Sequence, residues 1–114
     1  MFEPAPFEVV RYVPPEGGES PFQRWLDGLK DRVALVRIQM RLARLEKGLF
    51  GDSKSVGEGV CELRVACGPG YRVYYARSGR TVVLLLAGGD KGTQESDIAQ
   101  AQARWREFKA RRST

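Results

Sequence analysis

Between Val60 and Ala87 the residue pattern leaves little freedom of local structure. Cys61, Leu63, Val65 and Cys67 alternate with Glu62, Arg64 and Ala66, the period of a strand with two unlike faces. Gly68-Pro69-Gly70 turns the chain. From Tyr71 to Arg77 the alternation resumes, with Tyr71, Val73 and Tyr75 set against Arg72, Tyr74 and Ala76. Ser78-Gly79 makes a tight hairpin turn, and the run from Thr81 to Ala87 is then apolar without alternation. Strands joined by turns this short lie side by side and antiparallel, and a non-alternating apolar strand needs cover on both faces. Helices must supply that cover.

The rest of the chain provides them. Phe7 to Val13 reads as an extended segment stopped by Pro14-Pro15, which suits an edge strand. Ser20-Pro21 is a helix start, a capping hydroxyl followed by proline at the first helical position. Phe22, Trp25, Leu26 and Leu29 recur at helical spacing, and Gly28 marks the end of this short helix. Asp31 restarts a helix whose apolar stripe is Leu35, Ile38, Leu42, Leu45 and Leu49, widened by Val36, Met40 and Ala43. Arg37, Arg41 and Arg44 form a second stripe, read either as a solvated surface or as a face toward a partner or nucleic acid. Gly48 to Gly59 reads as a glycine-punctuated loop. A last helix opens near Thr93 or Ser96, with Glu95 and Asp97 at its positive end. It buries Ile98, Ala101, Trp105 and Phe108 and ends in a basic cluster. The expected architecture is a single α+β domain over residues 1–114, of order β-α-α-β-β-β-α, with helices packed on a small twisted, antiparallel-rich sheet.

Composition narrows the chemistry. The formal charge of +5 favours polyanionic partners, because the summed field steers association. There is no histidine, so imidazole serves neither as acid, base nor metal ligand. Cys61 and Cys67, ~20 Å apart along an extended chain, cannot bridge each other and lack metal-ligand spacing. They read as small buried apolar residues. Glu3, Pro4, Pro6 and Glu8 interrupt any apolar core near Met1, and no run reaches the ~18–20 apolar residues of a membrane span. A cytoplasmic protein is the expectation, with no metal, no cofactor and no membrane partner.

Arg64 and Arg72 share a parity on neighbouring strands, which points both guanidiniums to one polar sheet face. Gly88-Gly89-Asp90-Lys91-Gly92-Thr93-Gln94 reads as a flexible, charged junction beside them. Such a gathering of cations suits a phosphate, since a guanidinium fork meets phosphate oxygens bidentately and keeps its charge.

Several segments carry a family likeness. They are Phe22-Gln23-Arg24-Trp25-Leu26-Asp27 with Leu29, Arg41-Leu42-Ala43-Arg44-Leu45 with Gly48, and Phe50-Gly51-Asp52. They continue with Lys54-Ser55-Val56-Gly57-Glu58-Gly59-Val60, Glu62-Leu63-Arg64, Gly68-Pro69-Gly70-Tyr71-Arg72-Val73-Tyr74 and Gly88-Gly89-Asp90-Lys91. Together they resemble the RelE/ParE superfamily of toxins of type II toxin–antitoxin systems, in its HigB-like addiction module killer branch. The resemblance implies a RelE-like fold and a toxin neutralised by a cognate antitoxin, often a helix-turn-helix protein. Operator DNA would be met only through that antitoxin. Many members cleave mRNA on the ribosome without a metal, the ribose 2′-hydroxyl acting as nucleophile. Members of the ParE branch inhibit DNA gyrase instead.

On that likeness the catalytic candidates are Arg64 and Arg72, stabilising the crowded phosphorane-like transition state, and Lys91, moving a proton or stabilising charge. Asp90 would orient Lys91 or act as base. Lys54 is a candidate substrate-binding residue, and Tyr71 or Tyr74 a platform for a base. The sequence departs from relatives in lacking both a tyrosine in the carboxy-terminal helix and any histidine. The expected function is a ribosome-associated endoribonuclease that arrests translation. The alternatives are a non-enzymatic gyrase inhibitor or a nucleic-acid-binding module without toxicity.

Overall fold

The computed structural model describes residues 6–113; Glu3 and Pro4 lie outside them. Five strands form one mixed sheet, β1 (Glu8–Arg11), β2 (Ser53–Ser55), β3 (Val60–Val65), β4 (Tyr71–Ser78) and β5 (Val82–Asp90), in the spatial order β1-β5-β4-β3-β2. β1 runs parallel to β5, and the other pairs are antiparallel. Three helices complete the domain: α1 (Pro21–Asp27), α2 (Arg32–Glu46) and α3 (Gln94–Arg112), the last led in by a 3-10 turn at Lys91–Thr93.

The helix starts follow their local chemistry. The Ser20 hydroxyl accepts from the Gln23 amide with Pro21 at the first turn, and the Asp31 carboxylate accepts from the Ala34 amide. At α3 neither Thr93 nor Ser96 caps through its hydroxyl. Thr93 donates to the Asp97 carboxylate, and Ser96 to the Thr93 carbonyl.

The sheet separates two apolar layers. On one face Phe22, Leu26, Ala34, Ile38, Leu42 and Leu45 of α1 and α2 pack against Leu63, Val65, Val73, Tyr75, Val83 and Leu85. On the other, Ala101 and Trp105 of α3 pack against Val60, Tyr74, Ala76, Leu84 and Leu86. The non-alternating run of β5 is thus covered on both sides, as its pattern requires.

Four further details differ from the sequence reading. Within the segment read as a loop, Ser53–Ser55 pairs with β3, a strand too short to show alternation. The face carrying Arg64 and Arg72 is not an open polar face, because α3 covers part of it. The apolar stripe of α2 is narrower than expected. Ala34, Ile38, Leu42 and Leu45 are buried, whereas Val36, Met40 and Ala43 are exposed, since a helix lying flat on a sheet buries only one arc. Leu49 falls beyond the helix end and is also exposed.

The fourth concerns the glycine junction, which belongs to β5. Tyr74 pairs with Ala87 and Tyr75 with Leu85, so Leu86 is the extra residue of a bulge. The bulge shifts the phase of everything after it. Gly88 consequently faces α1 and Gly89 faces α3. A β-carbon at Gly88 would lie 2.1 Å from the Trp25 ring, and one at Gly89 1.8 Å from an Asp97 oxygen. The glycines are there for close approach rather than flexibility.

Candidate functional site

Strand register assembles the basic residues in two adjacent rows on the α3 face. Arg64 of β3 stands opposite Arg72 of β4, which stands opposite Gly89 of β5. In the next row Lys54 of β2 stands opposite Glu62, and Glu62 opposite Tyr74. Like charges placed directly across strands repel, so this pair requires counter-charge.

Each arginine has its own. Arg64 meets the Asp52 carboxylate through Nε at 3.2 Å and Nη2 at 2.9 Å, with both side chains largely in water, 41% and 58% exposed. A pair so exposed contributes roughly 0–1 kcal/mol and exchanges readily for another anion. Arg72 is 14% exposed and lies against Glu62, whose side chain is fully buried; the Nε–Oε2 separation is 3.4 Å. That contact is close enough for an ion pair but not aligned as a hydrogen bond, so Arg72 Nε, and Glu62 Oε1 as well, have no hydrogen-bond partner among the described residues. Glu62 Oε2 also accepts from the Tyr74 hydroxyl at 3.1 Å and from the Gln94 amide at 2.8 Å. Burial, then the neighbouring Glu62 carboxylate, pushes the Tyr74 phenol well above its ordinary range and keeps it a donor.

Lys91 follows directly on β5, its backbone amide bonded to the Gly70 carbonyl, which places it at the strand ends beside Arg72. It is exposed. Asp90 does not orient it: the Asp90 carboxylate accepts from the Gly92 amide at 2.7 Å and caps the 3-10 turn. Lys54 is exposed on the same face as Glu62.

The two tyrosines do not offer ring faces to a ligand. Tyr74 is fully buried beneath α3. Tyr71 lies on the opposite sheet face from Arg72, packed at 6.3 Å from Trp25. Its phenol is raised by burial and then by Asp31. Strand parity had already separated Tyr71 from Arg72. Tyr74 shares the arginines' parity, but the cover from α3 takes its ring out of reach.

The site therefore brings together Arg64, Arg72 and Lys54 with Lys91 at its rim. It adds Asp52, Glu62 and Gln94, to which sequence reasoning gave no role. The signal for Glu62 was present, a carboxylate two residues from Arg64 on the same strand parity. Its burial depended on where α3 lands.

The α2 arginines work differently. Arg41 donates to the Arg64 and Phe50 carbonyls and Arg37 to the Ala66 carbonyl, tying the helix to the end of β3 and the segment that follows it. Both belong to a shallow 260 Å³ groove with Met40, Arg44, Val65 and Ala66. At the far end of α3 Arg106 pairs with Glu58, and Arg111 with Glu107 and the Val13 carbonyl, so that basic cluster is largely engaged in the fold.

No family model matches the chain. A Haemophilus influenzae protein described as uncharacterized is 49% identical over 81 residues, which cover 71% of this chain and 82% of that protein. The chain belongs to that protein's family. Among the described residues no helix is long and apolar enough to cross a membrane.

Proposed function

We propose that this protein is the toxin of a toxin–antitoxin module, with a RelE-like fold of the HigB-like branch, and that it arrests translation by cleaving ribosome-bound mRNA. The observation that carries the reading is the opposed pair Arg64 and Arg72, with Lys54 beside it on one sheet face and Lys91 just past the end of β5. Two like charges held across a ladder are a poor arrangement for stability alone and a good one for an anion between them.

Cleavage by the ribose 2′-hydroxyl asks three things of the protein: in-line alignment of the backbone, stabilisation of charge on the phosphoryl oxygens and movement of two protons. Arg72, set from behind by a carboxylate that cannot leave, supplies the fixed donor. Arg64 supplies a mobile one, released when a phosphate takes the place of Asp52. Exposed Lys91 and Lys54 are the groups available for proton transfer and for holding flanking phosphates. A cytoplasmic location and neutralisation by a helix-turn-helix antitoxin complete the reading. The antitoxin alone would contact operator DNA.

The test is induction in a bacterial host with pulse labelling of protein and DNA synthesis. Protein synthesis falls first, and transcript ends accumulate inside translated regions. Arg72→Ala reduces cleavage about 10²–10³-fold, the loss typical of removing one preorganised charge-stabilising donor. Early loss of DNA synthesis with intact transcripts would give the gyrase reading instead. Normal growth on induction of a folded protein would leave a nucleic-acid-binding module without toxicity.

A further inference from the structure

The buried Glu62 carboxylate touches no reacting group in the chemistry described above, and its surroundings are costly unless they serve something. A fully buried carboxylate with one oxygen unpartnered is destabilising relative to an apolar residue of similar size. Glu62 nevertheless sits at the centre of the site. It lies between Lys54 and Tyr74 in its row and against Arg72 in the next.

We infer that Glu62 is the positioning residue for Arg72: a buried carboxylate, clamped by Tyr74 and Gln94, that fixes the guanidinium so that its open end meets a phosphate. The inference rests on the nuclease reading for its functional consequence, and on geometry for the positioning itself.

Three observations converge on it. First, Glu62 Oε2 gathers the Tyr74 hydroxyl, the Gln94 amide and the Nε side of Arg72, so one atom ties β3, β4 and the first turn of α3 together. Second, the contact reaches Arg72 from its Nε side, while Nη1 approaches the Gly70 carbonyl at 3.4 Å. Nη2 is then left without a partner among the described residues and outside the set of enclosed polar atoms. A planar fork held at Nε and Nη1 presents Nη2. Third, Glu62 Oε1 and Arg72 Nε are both unused as hydrogen-bonding atoms. A rotation of the guanidinium, drawn by an anion at Nη2, that turned Nε–H onto Oε1 would satisfy both. Anion binding and internal pairing thereby reinforce each other, whereas at Arg64 an incoming phosphate competes with Asp52.

The experiment uses the full chain with two readouts. One is the arginine Nε–H spectrum in ¹⁵N-labelled protein, with the Arg64 signal as internal control. The other is binding of a short fluorescein-labelled single-stranded RNA by anisotropy. In the wild type the Arg72 Nε–H signal is resolved and slow to exchange with water, and it shifts when RNA is added. In Glu62→Gln the Arg72 signal moves and exchanges at least tenfold faster while the Arg64 signal stays in place. RNA affinity falls by roughly ten- to a hundredfold, the range seen when groups that orient metal ligands are removed.

Gln94→Ala withdraws one clamp without orphaning a charge, so it keeps the test alive if Glu62→Gln does not fold; it shows the same changes at reduced size. An unchanged Arg72 signal with wild-type RNA affinity in Glu62→Gln, or in Gln94→Ala if Glu62→Gln does not fold, overturns the inference. A moved Arg72 signal in a protein whose wild type and Arg72→Ala form bind RNA equally upholds the positioning and sinks the nuclease reading. The two failures are therefore distinct.

Discussion

The two faces of the sheet are built by different rules. Beneath α1 and α2 the buried side chains are aliphatic or aromatic, and the contacts are those of any small core. Beneath α3 the apolar layer of Val60, Leu84, Ala101 and Trp105 gives way at one end to Glu62, Tyr74, Arg72 and Gln94. The first face is made for stability. The second gives up part of that stability to hold buried and half-buried charges, and under the proposed function that polar end of an otherwise apolar layer is the working surface.

Mutations separate the two. Phe22→Ala, on the α1 side and fully buried, lowers stability by about 3–5 kcal/mol, as equilibrium denaturation measures, and leaves the Arg72 surroundings unchanged. Glu62→Leu, on the α3 side, costs roughly as much because it strands a mostly buried guanidinium. The contrast lies in repair. Adding Arg72→Met to Glu62→Leu recovers most of the lost stability, since buried ion pairs often exchange for apolar residues at little cost. A double variant as unstable as the single one would break the comparison.

Gly88→Ala drives a methyl group into the Trp25 ring and costs about 1–3 kcal/mol, read by the same denaturation curves. Alkaline pH acts on the α3 side. Burial, and then Glu107, raises the Tyr12 phenol to about 12. The folded value lies above the unfolded one near 10, so this contribution is fully present below about pH 10 and is lost as pH rises toward 12. Tyr12→Phe therefore flattens the stability profile across that window. Smallest is Asp52→Ala, which changes stability by less than about 1 kcal/mol because its partnership with Arg64 is exposed.

The sequence showed the sheet-forming core plainly. Alternation in β3 and β4 and its absence in β5 set the strands and their covered faces, and Ser20-Pro21 and Asp31 set two helix starts. It did not show the bulge at Leu86, because one extra residue in an unbroken apolar run leaves no periodic trace. That bulge decides the facing of Gly88 and Gly89, hence the seat of α3, and hence the burial of Glu62 and Tyr74. Arg64 and Arg72 were legible because parity alone places them. The burial of Glu62 was not, since parity gives the face of a side chain and never the height of its roof. Tyr71 was misread as a base platform although its parity set it on the far side.

The parallel pairing of β1 has a consequence during synthesis. Val9 finds its neighbour only at Val83, 74 positions downstream. At roughly 5–20 residues per second the first strand waits about 4–15 s for its partner to be made. Nascent chains emerging from the ribosome thus spend that interval with an unzipped edge, and the seam between the oldest and the youngest parts of the sheet is sewn last.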